Sequence, residues 1–188
     1  MKLEYKNILI KKYEDFVVED IPERKKILRL EIFSILKKLE TPDSNDLQIW
    51  GLTYYHSNED KEHNLNWGLQ KFLEAYELDA QNFMACLYIA HCYHDQGELK
   101  MALNYYNLVD KVALKEFQIW RYVKLIEQIG YCNYKLGYIN LGRQLFQEVL
   151  SWYRKLPSED VVNPTEMMQC LPESDDIVIE MQKLEDNL

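Results

Sequence analysis

An all-α fold of paired helices is predicted for this 188-residue chain, and three observations predict it. Apolar residues recur at steps of three and four instead of alternating. Only six Gly and five Pro interrupt the chain. One order of small, aromatic and glycine residues returns along its length. Fourteen Tyr and four Trp, within 47% apolar content, supply the large side chains that packed helices interlock. The length favours one domain.

Tyr5, Ile8, Leu9, Tyr13, Phe16 and Val17 fall on one side of a first helix. Asp20 is expected to cap the second, with Pro22 in its first turn and Leu28, Ile32, Ile35, Leu36 and Leu39 as its apolar stripe. Thr41-Pro42-Asp43-Ser44 ends that helix and offers caps for the next. A helix from Phe83 to Tyr93 then leads through a turn at Gly97 into Leu99, Ala102, Tyr106 and Val109. Ala90 and Ala102 are small where two helices would cross, and Tyr93 fills the gap beside them. Ile129, Gly130, Tyr134, Gly137, Ile139, Gly142, Phe146 and Val149 repeat the order. An earlier copy reads Trp50-Gly51-Leu52-Thr53-Tyr54, then Leu65, Gly68, Phe72 and Ala75, joined by a long turn from His56 to Asn64.

These three copies resemble the tetratricopeptide repeat, a helix-turn-helix of about 34 residues. The resemblance covers roughly residues 45–156 and implies an α-α superhelix, a solenoid of about three helix pairs. Residues 1–43 would then supply N-terminal capping helices, 44–156 the repeats, and 157–188 an acidic C-terminal tail that caps the other end. Gly97 and Gly137 stand 40 residues apart, so Ala113 to Leu136 is expected to form one overlong helix. In the tail, Ser174 or Asp175 would cap a helix with the stripe Ile177, Met181, Leu184 and Leu188, and Thr165 to Cys170 would make a helical turn between prolines.

The net charge is -9, which opposes the electrostatic footprint that nucleic acid requires. From Pro157 to Leu188 nine acids face one base, so this tail carries -8 of it. The rest is nearly neutral, with basic clusters at Arg24, Lys25, Lys26 and Arg29 and at Lys37 and Lys38. No apolar run is long enough to span a bilayer and the start lacks a signal-peptide core, so a cytoplasmic protein with reduced Cys86, Cys92, Cys132 and Cys170 is expected.

Catalytic and metal motifs are weak. His91, Cys92 and His94 suggest zinc by residue type, but on a helix Cys92 points away from the two imidazoles, leaving two ligands where four are wanted. Phosphate-cradling and nucleophile-elbow motifs are missing from the sequence. The expectation is a non-enzyme without cofactor or metal, and a hydrolytic or metal-binding protein using His91 and His94 is the minor alternative.

The resemblance implies instead that the first helix of each pair lines a concave groove for a peptide or partner protein. Carried over by register, that groove is lined by Gln48, Leu52 and Tyr55; by Met84, Leu87, His91, His94 and Asp95; and by Lys124, Glu127, Tyr131, Tyr134 and Lys135. Relatives that grip acidic chaperone tails use a Lys, Asn, Asn, Lys and Arg clamp. The matching positions here hold Gln48, Leu52, Tyr88, Lys124 and Gln128, so only Lys124 agrees. Two further readings keep the module: an immunity protein or secretion chaperone that captures a basic toxin or effector, and a groove plugged by the chain's own acidic segment from Glu173 to Leu188.

Overall fold

The computed structural model describes residues 2–57, 59–157 and 163–185, and its regular structure is all helical. The helices are α1 (Lys2–Val18), α2 (Pro22–Leu36), α3 (Ser44–Tyr55), α4 (Lys61–Leu78), α5 (Phe83–Asp95), α6 (Leu99–Leu108), α7 (Lys111–Phe117), α8 (Ile119–Lys135), α9 (Ile139–Tyr153), α10 (Thr165–Cys170) and α11 (Asp176–Glu185). They form two compact units, Met1–Cys92 and Tyr93–Leu188.

In the first unit Leu9 and Phe16 of α1 bury against Ile32 and Leu36 of α2, beside Ile49 and Trp50 of α3. The α1 stripe is narrower than predicted. Ile8 and Val17 stay 48% and 43% exposed, because only the strip facing α2 and α3 is covered. Nor is Asp20 the cap of α2. Proline fixes the first helical φ at Pro22, which makes Ile21 the N-cap, with φ -80 and ψ 114, and leaves Asp20 one residue too early. The Ile21 N–H donates to the Glu19 carboxylate at 2.9 Å.

At the start of α3, Asp43 and Asp46 form a reciprocal capping box: Asp43 accepts from the Asp46 N–H at 3.1 Å, and Asp46 accepts from the Asp43 N–H at 3.0 Å. Lys6 pairs with Asp43 and the Tyr5 hydroxyl donates to Asp46 at 3.1 Å, which pins α1 there. Asn82 accepts from the Ala85 N–H at the start of α5 and donates to the Ser44 hydroxyl at 2.9 Å. Ser44 in turn donates to the Ala75 carbonyl at 2.8 Å. One buried chain of hydrogen bonds thus aligns α3, α4 and α5, with Leu47, Ala75 and Ala85 packed together.

The α3–α4 pair closes through glycine. A Cβ on Gly51 would stand 2.6 Å from the Phe72 ring, and one on Gly68 would stand 3.2 Å from the Gly51 carbonyl. Their connection, residues 56–60, is shorter than predicted because α4 begins at Lys61.

In the second unit α8 and α9 make the same crossing. A Cβ on Gly130 would lie 2.8 Å from the Phe146 ring, and one on Gly142 would lie 2.9 Å from the Gly130 carbonyl. The turn residues Gly97 and Gly137 have φ +78 and +92, conformations that a side chain would strain. Ala90 in the first unit and Ala102 in the second are fully buried.

The expected overlong helix is two helices. Gln118 is extended, with φ -155 and ψ 112, and divides α7 from α8. Asp110 starts α7 by accepting from the Val112 and Ala113 N–H groups at 3.0 Å. The break lets α7 fold back on α8 and bury Leu114, which a continuous helix would carry away along its own axis.

Met167, Leu171, Ile177, Val178 and Met181 from α10, α11 and their connection join Phe146, Val149, Leu150 and Tyr153 of α9 in one cluster with Val123 and Ile126 of α8. Asp175 accepts from the Ile177 N–H at 3.1 Å, the capping role read from sequence. Leu188, the end of the predicted stripe, lies outside the described residues. So do Glu159, Asp160 and Asp186 and the side chain of Glu185.

Candidate protein-binding surfaces

In the first unit the capped α3 and α5 bring their aromatic residues together. Tyr55 meets Tyr88 edge-on at 5.2 Å between ring centroids and the His91 ring at 6.5 Å. Tyr88 stacks on buried Phe72 at 5.3 Å, and its hydroxyl is 3.5 Å from His56 Nε2. Tyr88 is therefore the buried hub, while Tyr55, His56 and His91 are half-buried around it. Gln48 and Met84 are also half-buried. Leu52 and Leu87 point into the core, 5% and 1% exposed.

In the second unit His94 lies 5.1 Å from the Tyr131 ring and 6.3 Å from that of buried Tyr106. Its Nδ1 is 3.7 Å from the Asp95 carboxylate, and its Nε2 is shielded from solvent with no hydrogen-bond partner among the described residues. The Lys135 ammonium stands 5.5 Å over Tyr131. Tyr134 belongs to the hairpin itself: its Cβ faces Gly142 and its ring lies 6.1 Å from Phe146.

Lys124 and Glu127 are covered by the chain itself. Lys124 donates to Glu127 at 2.8 Å, to the Asn163 carbonyl at 3.3 Å and to Thr165 at 3.4 Å, and it pairs with Glu166. Glu127, whose side chain is 1% exposed, accepts from the Met167 N–H at 2.9 Å. Burial pushes the Glu127 carboxyl up to about 7, against the pull of Lys124. Burial also opposes the charge of Glu166, but the Lys124 hydrogen bond and charge outweigh it and hold that group below the usual range. The Lys124 ammonium, which burial disfavours, is raised by its two carboxylates.

The acidic residue on the Lys124 side of α8 is thus Glu166 of α10. The segment predicted to plug a groove, Glu173 to Leu188, supplies α11, which packs on α9. Asp175 pairs with Arg143 and Glu180 with Arg154, so three tail acids are neutralised locally.

Among the described residues no three His, Cys, Asp or Glu side chains stand close enough to hold a metal, and no helix is long and apolar enough to cross a membrane. Burial pushes the Cys86 thiol up to about 11 and the Cys132 thiol up to about 12, which leaves both protonated at neutral pH. Helix register does not select Tyr88 or His56 for the groove: Tyr88 enters only as a clamp position, and His56, just past the end of α3, falls outside a register that counts only helical positions. Comparison with protein-family models, curated proteins and solved structures finds no match.

Proposed function

We propose that this chain is a non-catalytic, tetratricopeptide-like module that binds a peptide or partner protein. The observation that carries the reading is the repetition of one hairpin. Gly51, Gly68 and Phe72 in α3–α4 take the places of Gly130, Gly142 and Phe146 in α8–α9. Repeated helix pairs of this kind present side chains of successive first helices as extended recognition surfaces. Tyr55 and His91 in one unit, and His94 and Tyr131 in the other, are half-buried groups with large contact area and few rotamers to freeze, and exposed Lys135 adds a positive charge. Capture of a basic toxin through an acidic tail has less support, since Glu166, Asp175 and Glu180 are already paired.

The test is affinity capture from source lysate with wild type and a Tyr55→Ala, His91→Ala, Tyr131→Ala variant of matched helicity by circular dichroism. The expected result is a protein retained by wild type and lost by the variant. Identical retained sets would contradict the assignment of these surfaces.

A further inference from the structure

A pocket in the first unit joins α1, α2 and the α3–α4 connection. Phe16, Pro22, Lys25, Lys26, Arg29, Ser57 and Glu59 line about 330 Å³, including the solvent at its mouth. Three of these side chains are cations and one is an anion. Glu59 pairs with Arg29 through Nη2, and its other oxygen is 3.7 Å from the Lys26 ammonium. Among the described residues no carboxylate lies within ion-pair distance of Lys25; its ammonium lies 5.1 Å over the Phe16 ring. The Arg29 side chain is only 15% exposed, and its Nε–H is shielded from solvent with no acceptor among the described residues.

Three cations thus face one carboxylate, which engages Arg29 Nη2 and Lys26 and leaves Lys25 and the Arg29 Nε–H without it. A guanidinium offers Nε–H and Nη2–H as a planar fork matched to two oxygens of one anion, and Glu59 engages only Nη2. A buried donor left without an acceptor costs free energy that a better-matched ligand recovers. A carboxylate has two oxygens, whereas a phosphate presents at least three, enough for the Arg29 fork, Lys26 and Lys25 together. The Glu59 side chain is half-exposed and precedes the start of α4, so it can swing out without disturbing a core contact.

The geometry points to a phosphate-binding site in which Glu59 is the resident competitor and Arg29, Lys26 and Lys25 hold the incoming anion. Its lining shares no residue with the aromatic surfaces. Either a phosphorylated side chain of a peptide or a free phosphate ion supplies the same chemistry.

The experiment is an NMR titration of the full chain with inorganic phosphate at constant ionic strength, with chloride as control. Saturable shifts confined to residues around Pro22–Arg29 and Ser57–Glu59 are expected. Glu59→Gln should tighten phosphate binding at least fivefold by removing the competitor. Arg29→Lys, which keeps the charge but not the fork, should weaken it at least fivefold, and Arg29→Gln should abolish it. Repeating the titration with a phosphoserine peptide separates the sources: tenfold tighter binding assigns the site to a peptide, and equal affinity assigns it to the free ion. Non-saturable shifts shared with chloride would overturn the proposal. So would an affinity that Glu59→Gln leaves unchanged, or one that Arg29→Gln retains.

Discussion

The hairpins α3–α4 and α8–α9 share two backbone contacts at their second glycine, at different closeness. At Gly142 an added Cβ would stand 2.8 to 3.0 Å from Tyr134 Cβ, the Gly130 carbonyl and the Tyr134 nitrogen. At the matching Gly68 the corresponding Gly51 carbonyl and Tyr55 nitrogen are 3.2 and 3.6 Å away, and the third neighbour is Tyr54 Cβ at 3.7 Å, one position before the residue that matches Tyr134. The connections differ in parallel. Residues 56–60 join the first pair, whereas 136–138, turning at Gly137, join the second. A longer connection lets two helices relax apart by a few tenths of an ångström without losing their crossing, so one sequence pattern tolerates two degrees of approach.

That difference sets the largest expected effect. Gly142→Ala must move backbone and should cost about 3 kcal/mol in urea unfolding. Gly68→Ala gains roughly 1 kcal/mol of helix propensity against a milder contact and should stay within about 1 kcal/mol of wild type. Equal losses at the two sites would erase the distinction.

The next effect separates the units by pH. Glu127 is raised from its ordinary 4.5 to about 7 in the folded chain, so the folded state binds more protons between these values. Stability from this group therefore rises as pH falls, by about 2 kcal/mol from pH 8 to pH 5.5. Below that range the depressed carboxylates Glu166, Asp175 and Asp43 protonate and stability falls again. Unfolding series at pH 5.5 and 8 should show the gain in wild type and a flattened dependence in Glu127→Gln.

The hairpins also start differently. Asp43 caps α3, whereas Gln118 at the start of α8 makes no side-chain cap despite suitable extended backbone. Asp43→Ala should lose about 1 kcal/mol, and Gln118→Ser should gain roughly 0.5 kcal/mol, both read from denaturant midpoints. The smallest effect belongs to the half-exposed Arg154–Glu180 pair, where Arg154→Ala should cost no more than about 0.5 kcal/mol.

The hairpins were legible because their pattern is regular in sequence: Gly68 and Gly142 each stand one helical turn before a phenylalanine, Phe72 or Phe146, that meets Gly51 or Gly130 across the pair. The break at Gln118 was not, since it depends on what Leu114 gains by reaching α8, a tertiary effect that periodicity does not carry. For the same reason register placed Leu52, Leu87, Lys124 and Glu127 on a lining surface. Whether a helix face is open depends on its neighbours, and α10 reaches Lys124 and Glu127 from some 40 residues away. Tyr55 and His91 were legible as a pair because α3 and α5 are aligned by Ser44 and Asn82 at their first turns.

The claim that both hairpins close by seating a glycine against a phenylalanine ring is tested most directly by two double-mutant cycles in urea unfolding. One combines Gly130→Ala with Phe146→Leu, the other Gly51→Ala with Phe72→Leu. Each alanine should cost about 1–3 kcal/mol beside the intact ring and much less beside leucine, giving coupling of the same sign in both hairpins. Simple additivity in either cycle would contradict a shared design.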